Sequence, residues 1–331
     1  MKIAAIGGGS WGTTVAHLCA HNAETQVFAR RSDVAAGITE QHQNPRYLAG
    51  FDLHPELSAS TDIEQVTAGA DVVIMGVASP GFRDTLDALS PLVTPGVPIV
   101  SLAKGLDRDR GCRMTELISE AFPENPVGVL TGPNLAKEIL AGHAAASVIA
   151  FDDPAVARRL QPLFATDMFR VYTNPDVVGC ELGGALKNVI AVAAGMADGL
   201  GAGDNTRAAV ITRGLAELTR LGVAMGGKAE TFVGLAGVGD LIATCISPQS
   251  RNRSVGEELG KGRTIDSIIE EMHQVAEGVR SAPVVSQLGR EYGVELPICD
   301  EVRAVVEDGR TAKEAYRGLL HRPQQGEILR R

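Results

Sequence analysis

At 331 residues the chain exceeds an ordinary single core, and two domains are expected. Its composition, 44 % hydrophobic with 4 % aromatic, belongs to a globular protein rather than a disordered or fibrous one. A formal net charge of −9 weighs against a nucleic-acid partner, while leaving room for a local basic pocket that takes a small phosphorylated ligand.

The first apolar run, Ile3–Ile6, is too short for the core of a signal peptide and reads as a strand. A helical stretch follows, with Trp11, Val15, Leu18 and Cys19 at 3.6-residue spacing. His17 and His21 on it have zinc-ligand spacing, but no Glu follows His17 and no third ligand is apparent. No metal is expected, and the pair reads as helix surface. Further strands are expected at Gln26–Ala29, Asp71–Val77, Pro98–Leu102, Val127–Leu130, Ala146–Ile149 and Phe169–Tyr172. Strands alternating with helices, and apolar on both faces, predict an α/β domain with a Rossmann-type, doubly wound, mostly parallel sheet over residues 1–176.

Beyond Asn174-Pro175 the strand pattern stops. Helices are expected at Gly183–Met196, Asn205–Leu221, Ile265–Glu271, Ala282–Glu291 and Ala312–Leu320, making 177–331 a second, all-helical domain. Asp204 reads as an N-cap and Gly222 as a C-cap of the second of these, and Val275-Ala276-Glu277-Gly278 reads as a helix ending at glycine. The tail Arg322–Arg331 is polar and expected to be loose. No run of about 18 uncharged apolar residues occurs, so no membrane insertion is expected. Five scattered cysteines without a C-x-x-C pair suit reduced thiols in the cytoplasm.

The chemistry begins at Gly7-Gly8-Gly9-Ser10-Trp11-Gly12. This G-x-G-x-x-G leaves a strand and opens a helix, the context a dinucleotide pyrophosphate needs. Gly7 permits the turn, Gly9 lets the anion approach the backbone, and Gly12 lets the helix pack on the strand. Where NAD-specific folds carry an acidic residue after the second strand, this chain has Arg30-Arg31, suited to a 2′-phosphate. NADPH is therefore expected to be preferred, with NADH accepted. Two more loops leave parallel strands on the ligand-binding edge: Ser101–Gly105, with Lys104, and Thr131–Ala136.

Within Glu181–Asn188, Lys187 shares a helix face with Gly183 and Gly184, small residues that leave space for a backbone or ligand near its ammonium. Each glycine costs about 1 kcal/mol of helix propensity, so a packing or functional reason is expected. Gly237-Val238-Gly239-Asp240 places a carboxylate beside two glycines. Ser250-Arg251-Asn252-Arg253-Ser254 offers hydroxyl, guanidinium and amide donors for phosphate oxygens, or else is a polar loop between helices.

Taken in order with Asn44-Pro45-Arg46-Tyr47-Leu48 and Gly132-Pro133, these motifs resemble the bacterial-type NAD(P)-dependent glycerol-3-phosphate dehydrogenases from residue 1 to about residue 310. The resemblance implies reduction of dihydroxyacetone phosphate to sn-glycerol 3-phosphate for glycerophospholipid synthesis, by a homodimer. It implies Lys187 as proton donor and acceptor. Substrate contacts would come from Lys104, Gly132, Asn134, Lys187, Asp240, Ser250, Arg251 and Asn252. Cofactor contacts would come from Ser10, Trp11, Arg30, Arg31, Lys104, Ala136, Arg251, Val275 and Glu277. Two positions depart from the family pattern: Asn134 stands where Ser or Thr is usual, and Ala78 replaces a common proline. A related two-domain dehydrogenase for another hydroxy acid or sugar, or a non-catalytic dinucleotide sensor, would share the glycine turn but not the full set.

Overall fold

In a computed structural model of the chain, which describes residues 1–272 and 276–321, eight strands form one sheet. They are β1 (Lys2–Ile6), β2 (Glu24–Phe28), β3 (Ser58–Ser60), β4 (Val72–Met75), β5 (Ile99–Ser101), β6 (Val127–Thr131), β7 (Ala145–Phe151) and β8 (Phe169–Asn174). Their spatial order is β3-β2-β1-β4-β5-β6-β7-β8, with every pairing parallel except β6 with β7. The chain winds outward from β1 through β2 to β3, then returns to build β4 beside β1. The crevice at that reversal is where an open sheet of this kind binds ligands.

The strands are apolar on both faces because each face meets its own layer of helices. In β1, Ile3 and Ala5 join one buried cluster with Val15 and Val27, while Ala4 and Ile6 join another with Phe82 and Ile118. Strand β3 was missed from the sequence because Ser58-Ala59-Ser60 carries no apolar run; it is an edge strand held by pairing with β2.

Among the described residues, every regular element after Asn174 is helical. The Val177–Gly199 helix runs through the centre of this half and is almost wholly buried. It and the stretch Ala229–Ile246 are long and apolar enough to cross a membrane by length and hydropathy, although each carries charged residues that break an uncharged run. The first of them is 94 % buried inside the protein, as a core helix would be. It crosses the Arg251–Gly260 helix closely: a Cβ on Gly195 would meet the Arg253 carbonyl, and one on Gly256 the Val192 carbonyl.

Asp204 is the first residue of its helix rather than the cap, which is Gly203, and Gly222 lies inside that helix, which runs on to Ala224. Gly222 is glycine because Phe232 packs where a Cβ would stand. Ala276-Glu277-Gly278 opens the Glu277–Glu291 helix instead of ending one. Ser250–Ser254 is no loop: Ser250 caps a helix that starts at Arg251. Val275 and the tail Arg322–Arg331 lie outside the described residues.

His17 and His21 do not simply face solvent. Their rings meet edge to face at 5.1 Å, His21 meets His54 at 4.5 Å, and the His54 N–H donates to His17 Nδ1 at 2.9 Å. Burial first, then the neighbouring imidazoles, lowers the His17 pKa from 6.5 to about 4. Because the folded value lies below the unfolded one, the neutral ring's contribution is complete above about pH 6.5 and is lost as pH falls toward 4. After allowance for solvent screening this amounts to about 1–3 kcal/mol. The wild-type advantage in Tm over His17→Gln should therefore shrink or invert between pH 7 and pH 4; a gap that does not change with pH would contradict it.

Candidate active site

The C-terminal ends of β1, β4, β5 and β6 share one edge of the sheet, and the glycine turn sits at the reversal point between β1 and β4. Gly7 has φ 122°, closed to other residues, and a Cβ there would strike the Gly76 carbonyl after β4. A Cβ on Gly12 would strike the Gly7 carbonyl, so the helix beginning at Ser10 packs hard against the turn. At Gly9 the opposite holds: a Cβ would meet nothing within 4 Å. Among the described residues no side chain caps the Ser10–Ala20 helix, and the buried Trp11 Nε1 has no partner. Bare helix-terminal N–H groups, open space and an orphaned donor fit the pyrophosphate of a dinucleotide.

Arg30 and Arg31 follow β2 on the same edge, beside the turn: a Cβ on Gly8 would touch Ala29. Both are exposed. Arg31 forks onto Asp33, at 2.9 and 3.1 Å, whereas Arg30 has no hydrogen bond or ion pair among the described residues.

Across the crevice lies a buried cluster of charges. Lys187, 4 % exposed, donates from Nζ to Asp240 Oδ1 and, at 2.5 Å, to Thr244 Oγ1. Asp240, 2 % exposed, takes Lys104 Nζ on its other oxygen at 2.7 Å, and Lys104 also donates to the Gly132 carbonyl at 2.8 Å. Two ammonium groups thus share one carboxylate. Burial is the main force on Lys187, which together with the nearby Lys104 charge lowers its pKa to about 8 against the opposing pull of Asp240. Of the two influences that lower it, burial outweighs repulsion from Lys104.

The glycines beside Lys187 explain how the cluster closes. A Cβ on Gly183 would collide with the Ala236 carbonyl in the π-helical turn Leu235–Gly239, which delivers Asp240. A Cβ on Gly184 would sit 2.7 Å from Thr131 Oγ1 at the end of β6, with the Lys104 stem close behind. One glycine admits the carboxylate-bearing turn and the next admits the sheet edge.

A hydrogen-bonded chain runs beneath these groups. The Lys104 carbonyl accepts from Asn188 Nδ2 at 2.8 Å, Asn188 Oδ1 accepts from Asn252 Nδ2 at 2.9 Å, and Asn252 Oδ1 accepts from the Gly278 N–H at 2.9 Å. Asn252 thus spends most of its polar capacity inside the protein. Ser250 Oγ accepts from Arg253 N as a cap, and Arg253 itself is tied to Asp198 and Glu257. Arg251 heads its helix, exposed yet crowded enough that desolvation lowers its pKa, with Glu277 opposing. Glu277 accepts from Ser79 Oγ at 2.9 Å, and its carboxyl is pushed up by burial. Asn134 reaches Ser147 Oγ at 3.3 Å, while its buried Oδ1 has no partner among the described residues; neither has Thr131 Oγ1. Ala136 begins the Ala136–Leu140 helix at the same strand end.

Thr244 and Asn188 had no assigned role from sequence. Asn188 stands beside Lys187 in a motif already noted. Thr244 lies one turn beyond Asp240 on the same helix, a spacing that could have flagged it. Among the described residues, no group of three or more His, Cys, Asp or Glu could hold a metal ion.

A dinucleotide turn on a doubly wound sheet, facing a buried lysine–carboxylate cluster on a helical half, defines a nicotinamide-dependent dehydrogenase of the two-part kind. Residues 2–157 match the N-terminal model of NAD-dependent glycerol-3-phosphate dehydrogenase, and residues 176–317 match its C-terminal model. The chain belongs to that family. It is 58 % identical over 320 residues to glycerol-3-phosphate dehydrogenase [NAD(P)+] 2 of Sphingopyxis alaskensis, covering 97 % of this chain and 96 % of that one. It is 53 % identical over 321 residues to the corresponding protein 1 of Mycobacterium bovis, covering 96 % and 94 %. The crystal structure of the Coxiella burnetii glycerol-3-phosphate dehydrogenase superposes with a TM-score of 0.92 at 33 % identity, covering 97 % and 99 % of the two chains.

Proposed function

We propose that the protein is an oxidoreductase that reversibly reduces dihydroxyacetone phosphate to sn-glycerol 3-phosphate with NADPH or NADH, and so feeds glycerophospholipid synthesis. The observation that carries this reading is the Lys187 ammonium, buried against Asp240 and Thr244 beside the sheet edge that bears the glycine turn. Residues 1–176 would hold the cofactor and 177–331 most of the substrate.

Gly7, Gly9, Ser10, Trp11 and Gly12 would hold the pyrophosphate, and Arg30 and Arg31 a 2′-phosphate. Lys104, Ala136, Arg251 and Glu277 would line the remainder. When bound, the reduced nicotinamide supplies the hydride that the ketone carbon accepts. Lys187 then does two things: its charge stabilises the oxygen as negative charge develops, and its proton passes to that oxygen. Asp240 and Thr244 orient the amine, and Lys104 adds a second cation. Ser250, Arg251 and the remaining Asn252 N–H would hold the substrate phosphate, with Gly132 and the unpartnered Asn134 oxygen near the hydroxyls. Arg30, with no competing carboxylate, is the readier 2′-phosphate ligand, and Arg31 must share its fork with Asp33. The test is NADPH and NADH oxidation with dihydroxyacetone phosphate: kcat/KM should be higher for NADPH, and a strong NADH preference would refute the arginine assignment. Cofactor binding without turnover would favour a sensor instead.

The Lys187 pKa sets a pH signature. Protonated below about 8 and neutral above it, the amine can donate only on the acid side. The kcat/KM for ketone reduction should be level below about pH 8 and fall about tenfold per unit above it, while oxidation of glycerol 3-phosphate should rise through the same range. A flat reduction profile to pH 10 would contradict this.

The same reading makes the protein a cytoplasmic homodimer. Its five free cysteines, four of them buried, support a reducing compartment. Ile242 and Ile246, exposed one turn apart on the Asp240–Ile246 helix, offer an apolar surface for association. Light scattering at assay concentrations would give the mass of two chains.

A further inference from the structure

The motif Asn44–Leu48 has so far been given no task. It begins just after the Ser32–Gln41 helix, which ends at His42 in a left-handed conformation, φ 51°. Gln43 bridges to Asp52, its Nε2 donating to Asp52 Oδ1 at 3.0 Å, and Leu53 N donates to the His42 carbonyl at 2.7 Å. The intervening residues therefore form a closed loop. At its base Asn44 is 0 % exposed. Its Nδ2 donates to the Gly8 carbonyl at 2.9 Å and to Thr13 Oγ1 at 3.0 Å, and its Oδ1 accepts from the Tyr47 N–H at 3.3 Å. Both of its N–H groups are spent on the glycine turn, one before the helix starts and one in its first turn.

The Gly8 carbonyl and the Gly9 N–H belong to one planar trans peptide and point in opposite directions. Drawing the carbonyl toward Asn44 aims the N–H away from it. That N–H has no partner among the described residues, and the space around Gly9 is open. The bond to Thr13 fixes the first helical turn against the same side chain, so the turn and the helix N-terminus keep one mutual orientation.

We infer that Asn44 is a positioning residue for the dinucleotide site: by holding the Gly8 carbonyl and Thr13, it keeps the Gly9 N–H aimed at the cofactor pyrophosphate before the cofactor arrives. A donor fixed in advance loses less freedom on binding than one that must be ordered by the ligand. The inference rests on the dinucleotide reading of the turn. It differs from a merely structural role in one respect: it acts on ligands that carry a pyrophosphate and spares those that reach only the ribose end.

The variant Asn44→Asp keeps the shape and removes both donors. Calorimetric titration should show NADPH and ADP-ribose binding weakened about 10- to 100-fold, with adenosine 2′-monophosphate bound within about twofold of wild type. NADPH titration should give the same loss by fluorescence of Trp11, the chain's single tryptophan. The KM for dihydroxyacetone phosphate at saturating NADPH should change little. Should Asn44→Asp fail to fold, Thr13→Val removes one acceptor only and should show a smaller loss with the same split between ligands. Unchanged NADPH binding, or an equal loss for all three ligands, would overturn the inference. A wild-type protein that binds none of them would instead overturn the dinucleotide reading itself.

Discussion

Replacing Lys187 by Met should lower kcat for ketone reduction by about 10³-fold or more while leaving the Kd for NADPH within about twofold of wild type. Methionine keeps most of the lysine stem's volume inside a helix that is buried on all sides, so the core should survive. What is lost is the charge that stabilises the developing oxyanion and the proton that follows it, contributions typically of about 10²–10⁴-fold each. Asp240 remains neutralised by Lys104, so the change does not strand a buried carboxylate. Single-turnover mixing of the variant with NADPH and dihydroxyacetone phosphate checks this. A loss of less than tenfold, under about 1.4 kcal/mol of transition-state stabilisation, would remove Lys187 from the chemistry.

Asp240→Asn should damage both stability and activity, and in a way that separates it from the lysine variant. The carboxylate serves two ammonium groups, and its neighbours leave it 2 % exposed. An amide would leave those cations facing each other without a counter-charge, and breaking a buried pair from one side costs about 3–5 kcal/mol. Among the forces on Lys187, Asp240 is the one that most strongly holds its proton. Without it the amine's pKa should fall below about 8, so that the variant is already impaired at neutral pH, stays so above it, and recovers part of its rate as pH drops. Tm should fall by several degrees. An unchanged Tm together with an unchanged pH midpoint would show that the carboxylate does not hold the pair.

The parts of this molecule that could be read in the sequence are those whose signal is local. The glycine turn needs three residues at fixed spacing after a strand, and the strand that precedes it, Ile3–Ile6 within β1, is apolar throughout. Lys187 was legible because two glycines beside a lysine have no place on a solvated helix face. What each glycine admits, however, is the Ala236 carbonyl in one case and the Thr131 hydroxyl in the other, from segments far away in the chain. The misreadings share a cause. Gly222 and Gly278 read as helix ends in the sequence because glycine usually stops a helix. Here one makes way for the Phe232 ring and the other for the Asn188 carbonyl, so helices in this half use glycine for close contact. Ser250–Ser254 looked like a loop because polar residues at a helix start resemble polar residues anywhere, and the capping bond from Arg253 N to Ser250 appears only in three dimensions. The asparagine chain from Lys104 to Gly278 was invisible for a related reason: its members are 26 to 84 residues apart.

Catalysis turns on where the Lys187 amine points when both ligands are present. A crystal structure with NADP⁺ and glycerol 3-phosphate should show Lys187 Nζ at hydrogen-bond distance, about 3 Å, from the secondary hydroxyl oxygen, with Asp240 still behind it. The substrate bound at the crevice while Nζ remains out of reach of that oxygen, with another group in its place, would contradict the central claim.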